Sequence, residues 1–461
     1  MSELEMSSEE MRRLGHLVVD RMVDLLERLD TGPVFTPASA EEMLERIPTS
    51  PPVGPTDFAT LLSIVEHEVA PAAARWGHPR AFAYIPGRGT WPGALADFMV
   101  SALNIDASSW RESPAPIHLE LVVVDWFRSW LGLPATAGGL LVGGGSAANL
   151  TALAIARQSR VGAGDPDARI YCTGEAHSSV ARAARVLGFA PAAISQVALL
   201  DGVMSVASLQ AAISTDRSAG CHPIAVVATA GATSTGAVDP LAAIADVACR
   251  ENLWLHVDGA YGGFATLTER GRTLLEGIDR ADSVTLDPHK WLYQPVEVGA
   301  LLVRDPSLLE ATFSMRPAYL QDTTDRPGEA NMVDRGLQQT RSVRALKVWL
   351  SLMTFGVEAF AGAIDHSMDL AAHVERRVTE SEHLELMSRA QLSIVCFRRR
   401  ARDEETAEEV NRRLTDELLA SGVGFLSSTR IDGRYTLRMC VLNHTTSLDD
   451  VDAVIDWLEQ S

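Results

Sequence analysis

The sequence predicts an α/β protein: a mostly parallel sheet flanked by helices, with an N-terminal helical segment before it and a small C-terminal α+β domain after it. Two observations predict this. From about residue 139, short runs that are apolar throughout alternate with helix-length segments, as in strands covered on both faces. Beyond residue 355 that alternation gives way to two strand-like runs around one charged helix. The expected division is 1–85 for the helical segment, 86–355 for the large α/β domain and 356–461 for the small domain.

The elements follow in order. Met11, Leu14, Val18, Met22, Leu25 and Leu29 recur at steps of three and four, one apolar stripe of a helix. That stripe fits packing on its own domain. It also fits a clasp around a second copy, because the connector with Pro48, Pro51, Pro52 and Pro55 can carry the helix away from the body. Strands are expected at Leu140–Val142, Ile170–Cys172, Ile224–Thr229, Leu253–Val257, Ser283–Leu286 and Ala300–Val303. Helices are expected between them at Ser146–Gln158, His177–Leu187, Ser208–Ile213 and Pro240–Glu251, then at Val343–Gly356. Leu392–Phe397 and Tyr435–Val441 read as strands of the small domain, with the helix Glu404–Ala420 between them. In parallel sheets of this kind ligands bind beyond the carboxyl ends of the strands.

Composition narrows the function. The 461 residues carry a net charge of −20, and an acidic surface of that size repels phosphate backbones, which argues against nucleic acid as a partner. No run reaches the ~18–20 apolar residues that span a bilayer, so no membrane role is expected. The first thirty residues lack the basic start and apolar centre of a secretory signal. Five scattered cysteines form no C-x-x-C pair, which suits a reducing compartment and gives no metal site; the expected location is cytoplasmic. The most informative count lies within the 40 basic residues, of which only Lys290 and Lys347 are lysine. Arginine does not deprotonate and so cannot supply a nucleophilic amine.

Lys290 lies in Asp287-Pro-His-Lys-Trp, just past an expected strand end, whereas Lys347 sits mid-helix beside arginines and reads as a solvated charge. A lysine amine can hold a carbonyl cofactor as a Schiff base, as pyridoxal phosphate is held. Such a cofactor needs an acid at its ring nitrogen, and Asp258 closes the apolar strand before Gly259-Ala260-Tyr261. Its phosphate needs backbone donors, and Val142-Gly-Gly-Gly-Ser-Ala-Ala runs from a strand through a glycine-rich turn, including Gly145, into a helix. This turn matches neither a P-loop nor a G-x-G-x-x-G dinucleotide turn. His177 and Thr233 also follow strands and offer an imidazole and a hydroxyl. Singly, each has an ordinary structural explanation: a helix cap, a turn residue, a connecting loop, a hydrogen-bonded core histidine. Five such groups at successive strand ends are not independent accidents.

In these residues the chain resembles the group II pyridoxal-phosphate-dependent amino-acid decarboxylases, the family of aromatic-L-amino-acid, histidine and glutamate decarboxylases. The likeness runs through His78-Pro-Arg-Ala-Phe-Ala-Tyr, Ser113-Pro-Ala-Pro, Gly144-Gly-Ser-Ala, Ala176-His-Ser-Ser, Asp258, Asp287-Pro-His-Lys-Trp and Arg344-Ala-Leu-Lys-Val-Trp. It implies a fold-type-I transferase-like architecture and a homodimer with composite active sites, favouring the clasp. It implies that Lys290 forms the aldimine with pyridoxal 5'-phosphate, that Asp258 faces the ring nitrogen, and that His177 stacks on the ring and meets the substrate carboxylate. It places His289, Ser146 and Ala147 at the phosphate, Thr233 and Ala260 against the ring, and Tyr84 in the substrate pocket. The implied reaction is decarboxylation of an L-amino acid to its amine and CO₂.

Two departures matter. Many members of the family carry a tyrosine in a loop after the cofactor lysine. The corresponding stretch, about Gln321–Gly336, has none, and Met332 aligns near its place. The polar Asp325-Arg-Pro-Gly-Glu-Ala would suit a lid. Relatives that replace the tyrosine by phenylalanine couple decarboxylation to oxidative deamination, giving an aldehyde, so that outcome is carried as an alternative. A catalytically silent cofactor- or anion-binding protein is another. In the pocket, Asp106 and Ser108 stand where aromatic-acid decarboxylases have Ile and Phe, a polar rim that argues against assuming an aromatic substrate.

Overall fold

The computed structural model describes residues 4–85, 87–162, 164–315, 326 and 328–461. Thirteen strands lie among them: β1 Gly138–Val142, β2 Ala168–Thr173, β3 Ile194–Val197, β4 Leu199–Leu200, β5 Val203–Met204, β6 His222–Thr229, β7 Trp254–Asp258, β8 Ser283–Leu286, β9 Gly299–Val303, β10 Leu384–Ser388, β11 Ile394–Arg399, β12 Ser427–Ile431 and β13 Arg434–Cys440. The large sheet has the order β1-β9-β8-β7-β6-β2-β3. Its inner strands are buried almost throughout, which is why they read as unbroken apolar runs. β9 runs antiparallel to both β1 and β8, while β8, β7, β6, β2 and β3 are mutually parallel. With β9 reversed, β1 and β8 point the same way, so the carboxyl ends of β1, β2, β6, β7 and β8 share one edge.

Each face of the sheet has its own core. One holds Phe127, Leu141, Val226, Tyr261, Trp291 and Ile364; the other holds Leu153, Ile155, Ile170, Val227, Trp254 and Leu301. The small sheet, β10-β11-β13-β12, is antiparallel and packs with the helices Val357–Glu380, Glu404–Ser421 and Leu448–Gln460 over a third core. Phe82 belongs to that core too, and its backbone bonds Phe425 and Cys440, so the chain ahead of the large sheet is stitched to the small one.

The helix Ser8–Glu27 is capped by Ser7, yet among its residues only Leu14 is buried. Met11, Val19, Val23 and Leu26 are exposed. Among the described residues, no single helix is long and apolar enough to cross a membrane.

Candidate active site

The polar residues expected at strand ends converge on one cavity of about 450 Å³ beyond the carboxyl edge. Gly145, Ser146, Ala147, His177, Thr233, Asp258, Ala260, His289 and Lys290 all line it. β1 delivers Gly143–Gly145 and then the 17-residue helix Gly145–Val161, whose first turn no side chain caps. A capless helix start with its N–H groups at the cavity is an anion cradle. Glycine is required there: Gly144 has φ +142°, and a Cβ on Gly145 would lie 2.9 Å from Asp287 Oδ2.

β2 leads to His177, the N-cap of the helix Ser178–Val186; its Nδ1 lies 2.7 Å from Ser179 Oγ. Burial lowers the pKa of this imidazole, with nearby Lys290 adding to the effect and Asp258 and Asp287 opposing it. β7 ends on Asp258, whose Oδ2 accepts from Asn149 Nδ2 at 2.8 Å and whose Oδ1 accepts from the Ala260 N–H at 3.2 Å. β8 runs into the short helix Pro288–Trp291, which carries His289 and Lys290. His289 Nδ1 bonds Val298 O at 2.7 Å, leaving Nε2 for a ligand. Lys290 Nζ sits 3.0 Å from Asp287 Oδ2.

The remaining expectations fall elsewhere. Tyr84 and Ser108 do not line this cavity. Tyr84 is 61% exposed, with φ +57° and its ring edge-on to Trp76 and Phe425. Ser108 is buried, and its hydroxyl bonds Asp106 Oδ2 and, at 2.6 Å, Gln339 O. Asp106 also accepts the Arg341 N–H at 2.8 Å, so its carboxylate is engaged within its own chain. Part of the expected lid, Gln321–Asp325 and Pro327, lies outside the described residues. Met332 is fully buried against Val100, Ile117 and Val343.

One expectation is corrected. Lys347 is not a solvated charge: it is 4% exposed, its Nζ is 2.7 Å from Asp97 Oδ2, and it donates to Pro295 O at 3.3 Å. Buried beside this carboxylate, it holds the segment that leads to Glu297, whose side chain meets the cradle at Gly143. Sequence reasoning also missed Asn149, Thr229, Asp287 and Glu297, which all line the cavity. Asp287, in the same short motif as Lys290, was the legible one; an acid three residues before a helical lysine meets it on one face.

The site suits pyridoxal phosphate: a lysine amine, a glycine-rich helix start able to hold an anion, and an acid lie around one cavity. Asp287 Oδ1 and Thr229 Oγ1 are buried without a protein partner, as polar atoms awaiting a ligand are. A mostly parallel α/β sheet with these groups on its carboxyl edge suits a pyridoxal-phosphate enzyme.

Comparison with known proteins gives the particular family. Residues 40–400 match the pyridoxal-dependent decarboxylase conserved domain. An aromatic-L-amino-acid decarboxylase of Bacillus atrophaeus is 39% identical over 98% of this chain and 95% of its own. The structure of Oryza sativa TDC with PLP and tryptamine superposes with a TM-score of 0.94 at 29% identity, covering 100% of this chain and 98% of that one. Rhodiola rosea 4-hydroxyphenylacetaldehyde synthase gives a TM-score of 0.91 at 27% identity, over 99% of both chains. The chain belongs to the pyridoxal-dependent decarboxylase family, with the fold-type-I architecture, and acts as a pyridoxal-phosphate-dependent amino-acid decarboxylase.

Proposed function

We propose that this enzyme decarboxylates an aromatic L-amino acid, working as a homodimer in the cytoplasm, with Lys290 as the residue that carries the cofactor. The observation supporting the site assignment is the convergence of Lys290, Asp258, His177 and the Gly143–Gly145 cradle on one cavity. When bound, pyridoxal phosphate supplies an electron sink for the bond broken at Cα.

The chain's own residues do the rest. The helix start at Gly145, with Ser146, Ala147 and His289 Nε2, holds the phosphate. Asp258 keeps a proton at the ring nitrogen. Thr233 and Ala260 fix the ring plane from the cavity wall. Lys290 and Asp287 form an ion pair at the reacting end, Nζ to Oδ2 3.0 Å, which orients the amine. His177, with Nδ1 occupied by Ser179, offers Nε2 to the substrate carboxylate and so orients the scissile bond.

Similarity to the Bacillus atrophaeus enzyme supports the aromatic class. The polar rim argues less against it than the sequence suggested, because Asp106 is tied to Arg341 and Ser108. The dimer is supported by apolar surface that stays exposed among the described residues. A cavity of about 740 Å³ between the N-terminal helix and the body is lined by Met22, Leu26, Trp91 and Phe355, beside exposed Phe98 and Leu103. Exposed Tyr84 is free to line a site completed by a second copy, whereas the Ser108 hydroxyl is engaged within its own chain.

Supplying holoenzyme with a panel of amino acids tests this reading: CO₂ and amine should form in equal amounts from Phe, Tyr, Trp or their hydroxylated forms. Release from acidic amino acids alone would overturn the substrate class. A second reading, aldehyde formation, is favoured by the absence of tyrosine from 321–336. Dioxygen uptake with ammonia release would select it.

A further inference from the structure

Behind the cavity wall a line of buried polar groups joins the sheet to the site. Trp254 Nε1 donates to Ser283 Oγ at 2.8 Å, and Ser283 Oγ lies 2.8 Å from His256 Nδ1. His256 Nε2 lies 3.0 Å from Asn149 Oδ1, which also accepts from Thr285 Oγ1 at 2.7 Å. The Asn149 amide then donates to Asp258 Oδ2 and Ser179 Oγ, both at 2.8 Å. Ser179 Oγ is in turn 2.7 Å from His177 Nδ1.

The directions of these bonds are fixed by which groups can only donate and which can only accept. A carboxylate only accepts, so the Asn149 NH₂ faces Asp258 and its oxygen faces His256. That oxygen only accepts and already takes the Thr285 hydroxyl, so its 3.0 Å contact with His256 Nε2 requires the imidazole proton on Nε2. Burial holds the His256 pKa below the usual imidazole range, so the ring is neutral and Nδ1 accepts from the Ser283 hydroxyl. The indole N–H, which only donates, fills the serine's lone pair and closes that end. On the other branch, Ser179 Oγ takes the second amide hydrogen and gives its own to His177 Nδ1. The Ser179 N–H points at the same nitrogen, 3.3 Å away.

We propose that His256 and Asn149 are positioning residues: the one-way chain Trp254–Ser283–His256–Asn149 holds Asp258 as a hydrogen-bond acceptor and, through Ser179, fixes His177 as the Nε2–H tautomer. The two groups assigned to opposite parts of the substrate–cofactor complex are thereby set by one amide. Reversing that amide would aim its oxygen at Asp258 and at Ser179, misplacing both at once. His256 does not line the cavity; with the Thr285 hydroxyl it donates to the amide oxygen and so opposes the reversal. The inference extends the site assignment made above.

Histidine-selective ¹⁵N NMR of the full chain, with the cofactor bound and again after its removal, reads the tautomers directly. Both His177 and His256 should show a protonated Nε2 and a bare Nδ1. His256→Gln keeps a donor near the Nε2 position, whereas His256→Met removes it. His256→Met should give a mixed His177 tautomer signal and about tenfold weaker pyridoxal-phosphate binding by fluorescence titration; His256→Gln should restore most of both. A Nδ1–H signal from His177 in the unaltered chain overturns the proposal. So does identical behaviour of the Gln and Met variants. Failure of Lys290 to carry the cofactor would instead defeat the site assignment and leave the tautomer signals in the cofactor-free chain unchanged.

Discussion

Glu120 and Arg341 offer a quantitative test of how the fold supports the cradle. They form a bidentate pair, Nη2–Oε1 2.7 Å and Nη1–Oε2 3.2 Å, with side chains 1% and 2% exposed. Glu120 Oε1 also accepts the Leu141 N–H at 2.8 Å, and Arg341 Nη2 donates to Leu141 O at 2.7 Å. The pair therefore grips β1 two residues before the glycine turn. Glu120→Ala leaves a guanidinium buried without its counter-ion, which costs about 3–5 kcal/mol. At about 2.1 cal/mol/K per residue, unfolding 461 residues carries roughly 1 kcal/mol/K of entropy, so the melting temperature should fall by about 3–5 °C. The assay is calorimetry of the holoenzyme at one scan rate. Glu120→Leu with Arg341→Met should recover at least half of the loss, because most of the cost is the orphaned charge. A fall below about 1 °C for Glu120→Ala, or a double variant as poor as the two singles combined, would refute the reasoning.

Two further outcomes follow from other parts of the fold. Gly299→Ala puts a Cβ 2.5 Å from Gly144 Cα; moving that backbone costs about 1–3 kcal/mol, so cofactor binding measured by titration should weaken roughly tenfold or more. Burial, with Arg88 adding to it, pushes the His444 pKa down to about 4. The unfolded chain then binds the extra proton between about pH 6.5 and 4, so stability is full above that window and is lost as pH falls through it. At pH 5 the loss is about 2 kcal/mol, and His444→Leu should flatten the stability–pH curve between pH 7 and 5 by that amount.

The strands at the middle of the large sheet were legible because burial on both faces leaves continuous apolar text. The residues at their carboxyl ends were legible for the related reason that polar side chains there interrupt that text. β3, with Ser195 and Gln196, escaped notice because an edge strand keeps polar residues. The reversal of β9 was not legible either, since its sequence is as apolar as its parallel neighbours'. Lys347 was misread because its burial depends on Asp97, which lies far away in sequence and reaches it only through packing between helices. Asn149 gave no signal for the same reason: its value lies in two strands and a helix meeting around one amide.

The scarcity of lysine makes the central claim unusually direct to test. Borohydride reduction of the coloured holoenzyme, followed by digestion and mass analysis of the peptides, should place a phosphopyridoxyl group on Lys290 and leave Lys347 unmodified. Label on Lys347, or a Lys290→Ala variant that still shows the visible absorption and binds the cofactor as tightly, would contradict the account.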